Sequence, residues 1–279
     1  MRKIDVNIIA DKIKQLLLTS NTDLPQDLLI LLKAAEQREE SRLAKFMLEQ
    51  IVSNAAIAKE NQWPMCQDTG MAVIFVDIGQ EVHLINGDIN QAINAKVAEA
   101  YREGNFRNSV ASPLERVNTA NNTPAIIHYQ IIEGDQVHLK VAPKGFGSEN
   151  MSRLYMLNPT AGAEGVVNAI VETVKLAGGK PCPPLVVGVG VGGTVEKAAL
   201  LAKRSLFRPV GSPSDDDRLA KLEKTALARI NNLGIGAQGV GGITTALAVH
   251  IESFPTHIAG LPVVINIQCH AARHAEAVI

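Results

Sequence analysis

The chain has 279 residues, of which 46% are apolar, 20% charged and 4% aromatic, and its formal net charge is −1. That composition supports a globular fold with a sizeable core, while the near-neutral charge and scarce aromatics argue against nucleic acid and anionic membrane surfaces as partners. No apolar run reaches the roughly 18–20 residues that span a bilayer. The N-terminal stretch, interrupted by Asp11, Lys12 and Lys14, reads as an amphipathic helix and not as a leader. Three cysteines are too few, and odd in number, for a disulfide framework, so a reducing, cytoplasmic setting is expected.

Residues 1–60 read as helical. Pro25 opens a helix to residue 38 carrying Leu28, Leu29, Leu31 and Leu32, and Leu43, Phe46, Met47, Ile51, Ala55 and Ala58 step by threes and fours as one buried stripe. The loop from Trp63 to Gly70 leads into a strand-rich run at 72–78, then a helix at about 88–103. Runs at 125–133 and 136–142, joined by Gly134-Asp135, suggest a hairpin. A helix at 161–177 precedes the apolar strand Leu185-Val186-Val187 and a helix from about Thr194 to Ser205. Residues 216–231 place Leu219, Leu222, Ala226 and Ile230 on one helical face, and strand-like runs follow at 244–251 and 262–267. The pattern predicts a mixed α/β (α+β) fold: one domain over 1–279, helical to about 62, then a mixed sheet flanked by helices over 63–279.

The cysteines lie far apart and form no CxxC pair, so spacing alone indicates neither a zinc finger nor a ferredoxin-type cluster. Buried small hydrophobes are the ordinary alternative. Local context points elsewhere: Pro64-Met65-Cys66-Gln67, Pro181-Cys182-Pro183-Pro184 and Gln268-Cys269-His270 all look like loops. Three thiolates around one cubane cluster leave an iron with no protein ligand, an open Lewis-acid position for a substrate hydroxyl and carboxylate. Dehydration chemistry also needs a base, an acid and a carboxylate anchor. Asp68 is a candidate acid or base, or the capping side chain of an Asp68-Thr69-Gly70 turn. His257 is a candidate proton carrier or an ordinary surface histidine. Arg107 is a candidate carboxylate clamp or a solvated arginine. His270, Arg273 and His274 either line a site or form a polar helix face.

Gly188 to Gly193 spells a G-x-G-x-x-G between a strand and a helix, the spacing of a dinucleotide-binding turn. No second strand ending in an acid follows about 20 residues on, which weakens nicotinamide binding as a reading. The loop Lys144-Gly145-Phe146-Gly147-Ser148-Glu149-Asn150 could turn backbone N–H groups toward a carboxylate, or be a plain turn. Gly234 to Gly242 is a second permissive loop.

Taken in order, Cys66-Gln67-Asp68-Thr69-Gly70, Asn118-Thr119 through Ala125, Lys144 through Asn150, Cys182-Pro-Pro with its glycines, Gly236 through Gly242 and Pro255-Thr256-His257 through His274 resemble the class I fumarase and tartrate dehydratase family. The resemblance covers nearly all of the chain beyond residue 40. It implies the alpha subunit of a hydro-lyase acting on a small dicarboxylate, with the family's N-terminal-domain fold. Cys66, Cys182 and Cys269 would hold a [4Fe-4S] cluster, Gln67 and Arg107 would bind substrate, Asp68 would move a proton, His257 would lie near the substrate, and Gly145 and Gly147 would supply backbone contacts. Ala120-Asn121 and Phe146 depart from the usual residues. The Pro-Thr-His and Ser-Glu-Asn motifs favour fumarate and malate as substrates; tartrate, a methylated dicarboxylate or a non-catalytic cluster subunit are the alternatives. Single-chain relatives carry a further domain that finds no match here, which implies a separate beta subunit and a hetero-oligomer.

Overall fold

The computed structural model describes residues 1–279. Strand β1 (Arg2–Asp5) leads into helices α1 (Val6–Thr22), α2 (Gln26–Arg38) and α3 (Arg42–Asn61). Strands β2 (Met71–Gly79) and β3 (Val82–Ile85), helix α4 (Ile89–Glu103), strands β4 (Ile126–Ile132) and β5 (Val137–Lys144), the one-turn helix α5 (Phe146–Glu149) and strand β6 (Arg153–Leu157) follow. The remaining elements are α6 (Gly162–Ala177), β7 (Leu185–Gly192), α7 (Val195–Ser205), α8 (Asp217–Asn231), β8 (Ala246–Phe254), β9 (Leu261–Gln268) and β10 (Ala275–Val278). The mixed α/β class read from the sequence is the one that forms. No helix is long and apolar enough to cross a membrane. Two compact units divide the chain: Met1–Pro25, Asn54–Phe146 and Arg273–Ile279 in the first, Gln26–Ser53 and Gly147–Ala272 in the second.

In the first unit a four-stranded sheet runs β10-β5-β2-β4, and β1 pairs in parallel with β3 in a separate two-stranded ribbon. Helices α1 and α4 cover one sheet face. Ile9, Ile13 and Leu17 of α1 and Ile93 and Val97 of α4 are fully buried against Ala72, Ile74, Val76, Leu139 and Val141. Each such aliphatic side chain contributes about 1.5–3 kcal/mol on leaving water. Asp5 caps α1 through the Asn7 N–H (2.8 Å) and Asp88 caps α4 through the Gln91 N–H (2.8 Å), satisfying helix-start donors that would otherwise lack partners.

The hairpin expected around Gly134-Asp135 does not form. Strand β2 lies between β4 and β5, parallel to the first and antiparallel to the second. The two strand runs were read correctly but paired with the wrong neighbour: β2 is the most deeply buried strand of this sheet and takes a central place. The turn after β2 then packs onto the 132–136 connection, so closely that a Cβ on Gly79 would sit 2.3 Å from the Gly134 carbonyl oxygen.

In the second unit the sheet order is β6-β9-β7-β8, with β7 parallel to β8 and antiparallel to β9. Leu185, Val187 and Val189 point into a core with Val167 and Ile170 of α6 and Ala226 and Ile230 of α8. The other face of β7 meets α7. Of the glycines read as a dinucleotide-type turn, Gly188, Gly190 and Gly192 are strand residues: a Cβ at Gly188 would lie 2.3 Å from the Ala202 carbonyl oxygen, and one at Gly190 only 1.9 Å from that of Ala198. They let a helix backbone approach a strand backbone, and the nicotinamide reading loses its loop.

Helix α3 also corrects its predicted stripe. Ala44, Leu48, Ile51, Ala55 and Ala58 are buried, whereas Leu43 and Phe46 are about half exposed. Ala44 packs on the loop that holds Gly242, where an added Cβ would stand 2.9 Å from the alanine's own.

Candidate functional site

In the first unit the chain after α3 is fastened before it reaches Cys66. Met65 donates its N–H to the Asn21 carbonyl (3.0 Å) and accepts from Asn54 Nδ2 (2.8 Å) at its own. Cys66 is half-buried and its thiol is not in a disulfide. Gln67 is exposed. Asp68 adopts the turn-capping geometry, its Oδ1 accepting the Gly70 N–H (3.0 Å), but Oδ2 also accepts the Phe146 N–H (2.8 Å). Two backbone amides thus fix the carboxylate from opposite ends of a long chain segment, and each oxygen keeps an acceptor site. A Cβ on Gly145 would stand 3.1 Å from Asp68 Oδ2, which explains glycine there. Gly147 has nothing within 4 Å of a built Cβ, so packing does not demand its glycine.

Beneath this turn lies Arg273, only 2% exposed. Its Nη2 donates to the Asp68 carbonyl (2.8 Å), its Nη1 donates to Asn21 Oδ1 (3.0 Å), and its Nε has no partner. The segment 269–274 is extended loop, so the polar helix face considered for His270, Arg273 and His274 does not exist. The Tyr101 hydroxyl lies 3.0 and 2.9 Å from the carbonyl oxygens of Thr69 and Gly70, and burial pushes its phenol well above its ordinary range. Asn122, fully buried, donates to the Gly70 carbonyl (3.1 Å) and accepts the N–H groups of Ser109 (2.6 Å) and Val110 (3.1 Å), tying the Arg107 loop to the same turn. Thr69 Oγ1 donates to the Arg107 carbonyl (3.2 Å). The Arg107 side chain itself is exposed and makes no ion pair or hydrogen bond.

In the second unit the loops of Cys182 and Cys269 are joined. Cys182 holds a left-handed φ of +55°. The His270 N–H donates to the Cys182 carbonyl (3.2 Å), and His270 Nδ1 lies 3.0 Å from the same oxygen. Gln238, from the loop spanning Gly234 to Gly242, donates through N–H and Nε2 to the Pro183 carbonyl (2.8 and 3.0 Å), with Nε2 3.1 Å from His270 Nδ1. His270 Nδ1 donates to Cys182 in one tautomer and accepts from Gln238 in the other. Glu39 anchors the far side of the glycine loop, accepting the Ile243 N–H at 3.1 and 3.2 Å. Cys182 is exposed, Cys269 half-buried, and neither is in a disulfide. His257 sits on an exposed turn where its Nδ1 accepts the Ala259 N–H (3.1 Å), so a neutral ring carries its proton on Nε2 and offers it outward.

Taken alone, neither unit gathers three His, Cys, Asp or Glu side chains as a metal site. The donor chemistry still fits an iron–sulfur group: all three thiols are outside disulfides and none is fully buried, two sit on loops held together by His270, and soft thiolate donors suit such clusters. Sequence reading missed the supports. Asn21 and Tyr101 lie outside every motif read, and Asn122 and Gln238 lie inside two of them, Asn118 through Ala125 and Gly236 through Gly242, without having been singled out. Gln238 was within reach, being the one side chain in its loop able to form several hydrogen bonds.

Against known proteins, a family model described as fumarate hydratase (fumerase) matches residues 10–278. The chain is 43% identical over 273 residues to the putative L(+)-tartrate dehydratase subunit alpha of Methanocaldococcus jannaschii, covering 96% of each chain. It is 30% identical over 278 residues to the L(+)-tartrate dehydratase subunit alpha of Escherichia coli strain K12, covering 98% of this chain and 91% of the relative. The counterpart in E. coli strain UTI89 is 31% identical over 272 residues.

Proposed function

The chain belongs to the fumarate hydratase (fumerase) family of hydro-lyases, and from that premise we propose that it is the cluster-bearing alpha subunit of an enzyme that removes water from a four-carbon hydroxy-dicarboxylate. The relatives' names favour L(+)-tartrate as the substrate over the fumarate and malate expected from the motifs. Malate and fumarate stay as the second reading because the family model bears that name. A separate beta subunit completes the enzyme, in keeping with relatives named as alpha subunits.

The observation that carries the reading is the pairing of two thiol loops, Cys182 and Cys269, through His270, in a chain whose only other thiol borders Asp68. Cys66, Cys182 and Cys269 are the proposed ligands of a [4Fe-4S] cluster, which when bound supplies an open Lewis-acid position. The chain's own residues do the rest. Asp68, with both oxygens oriented by backbone amides, takes or returns the proton at the carbon next to a carboxylate. Arg107, having no partner within the chain, clamps a substrate carboxylate. Gln67 is exposed beside Asp68 and donates to a substrate oxygen, and Gly145 and Gly147 supply backbone N–H groups to a substrate carboxylate. His257 offers Nε2–H as the acid or hydrogen-bond donor for a leaving hydroxyl.

A substrate panel on the anaerobically reconstituted chain plus beta subunit tests this. Turnover of L(+)-tartrate above malate and fumarate is expected. Preference for malate and fumarate selects the second reading, and turnover of none of the three removes the catalytic one.

A further inference from the structure

Under the Asp68 turn sits a positive charge with no carboxylate bonded to it. Arg273 is almost wholly buried, and its guanidinium does not give up its proton, so the charge goes with it into the interior. Burying such a charge is expensive unless a counter-charge pairs with it. Yet both of its bonds go to neutral acceptors, Nη1 to Asn21 Oδ1 (3.0 Å) and Nη2 to the Asp68 carbonyl (2.8 Å), and its Nε–H has no acceptor.

Holding the turn does not require that charge. The next two carbonyls along it, those of Thr69 and Gly70, are held by neutral donors, the Tyr101 hydroxyl (3.0 and 2.9 Å) and Asn122 Nδ2 (3.1 Å to Gly70). The group that feels the guanidinium is the Asp68 side chain. A Cβ on Gly145 would stand 3.1 Å from Asp68 Oδ2 and 3.8 Å from Arg273 Nη2, so carboxylate and guanidinium flank one glycine. Burial raises the Tyr101 phenol, Arg273 opposes that rise and Asp68 adds to it, which puts both charges within electrostatic reach of a single hydroxyl. They do not bond to each other: the Asp68 oxygens accept the N–H groups of Gly70 (3.0 Å) and Phe146 (2.8 Å) instead.

An anionic base and an anionic substrate repel, and the repulsion grows where water is excluded. We propose that Arg273 is a positioning residue that offsets this repulsion: a buried, permanent charge beside Asp68, out of the substrate's reach, that lets a dianion settle against a carboxylate base. The role rests on the reading of the chain as a dicarboxylate hydro-lyase. Because the guanidinium acts through its field and touches no substrate, its effect scales with the charge of the bound molecule.

Deleting Arg273 would break the turn, so the test leaves the residue in place. Asn21→Asp sets a carboxylate on Nη1 and neutralises the guanidinium. Asn21→Leu has a similar shape, loses the same side-chain hydrogen bonds and adds no charge. Each is reconstituted anaerobically with the beta subunit and matched to wild type in iron content and melting temperature. Calorimetry then measures binding of succinate, a dianion, and of butyrate, a monoanion of the same length. N21D should weaken succinate about tenfold and butyrate about threefold, while N21L should stay within about twofold of wild type for both. Unaltered succinate binding in N21D overturns the proposal, as does equal weakening by N21D and N21L, or equal weakening of the two ligands by N21D. Binding needs no turnover, so a wild type that binds succinate but dehydrates nothing overturns the reaction and leaves these comparisons to decide the role of Arg273. A wild type that binds no dicarboxylate overturns both.

Discussion

Acid should destabilise this protein through a histidine that has no part in the proposed chemistry. His250, in the middle of β8, is 1% exposed; its Nδ1 lies 3.1 Å from the Ser205 carbonyl and its Nε2 has no partner. Burial above all, then the nearby Arg208 charge, pushes the imidazole down from 6.5 to about 4, against the smaller opposing effects of the Ser205 hydrogen bond, Glu223 and Asp27. The folded protein therefore holds this ring neutral where the unfolded chain would protonate it. Stability is complete above pH 6.5 and is lost progressively as pH falls toward 4. With 1.36 kcal/mol per unit, the loss is about 2 kcal/mol between pH 7 and pH 5, and about 3 by pH 4. Urea unfolding at pH 7, 6 and 5 on wild type and His250→Gln measures it. Glutamine can still donate to Ser205 but cannot gain a charge, so the stability gap between the two proteins should shift by about 2 kcal/mol in the variant's favour on acidification. Parallel losses in the two proteins would refute the reasoning.

Other perturbations separate packing from chemistry. Gly190→Ala must push α7 away from β7, since its Cβ would meet the Ala198 oxygen at 1.9 Å, and should cost about 3 kcal/mol in urea unfolding; Gly147→Ala, with open space, should change stability by less than about 0.5 kcal/mol. Arg273→Met leaves the Asp68 carbonyl and Asn21 Oδ1 without a donor and should cost about 2–6 kcal/mol, at about 1–3 for each orphaned acceptor; a loss under 1 kcal/mol would show that water or a neighbour replaces the guanidinium. Arg107→Lys keeps the charge but loses the fork, and should raise KM at least tenfold with a smaller change in kcat. An unchanged KM would remove Arg107 from the carboxylate.

Much of the fold was legible because its signals are local. The apolar face of α8 and the β-branched run of β2 each declare themselves within a dozen residues. Pairing is not local: nothing between residues 125 and 142 says that β2 will come between β4 and β5. Short strands such as β3 and β10 carry too few residues for an alternation to show. The glycines of β7 misled because the same residue serves a phosphate turn and a close helix–strand approach, and only the position of α7 separates the two uses. At the candidate site, Cys66, Asp68 and Cys182 stood out through motif and proline context. Arg273 stood out only as one of three polar residues lining a site or a helix face; that it is buried and aimed at the Asp68 backbone is something no spacing encodes.

The central claim is that these cysteines hold the group on which water elimination depends. Cys182→Ser removes one thiol from an exposed loop whose backbone is held by His270 and Gln238, so the fold should survive. Anaerobically reconstituted with iron, sulfide and the beta subunit, wild type should bind about four iron atoms per chain and dehydrate its dicarboxylate, while the variant should lose iron and at least a hundredfold in turnover. Full turnover by the serine variant would contradict the account.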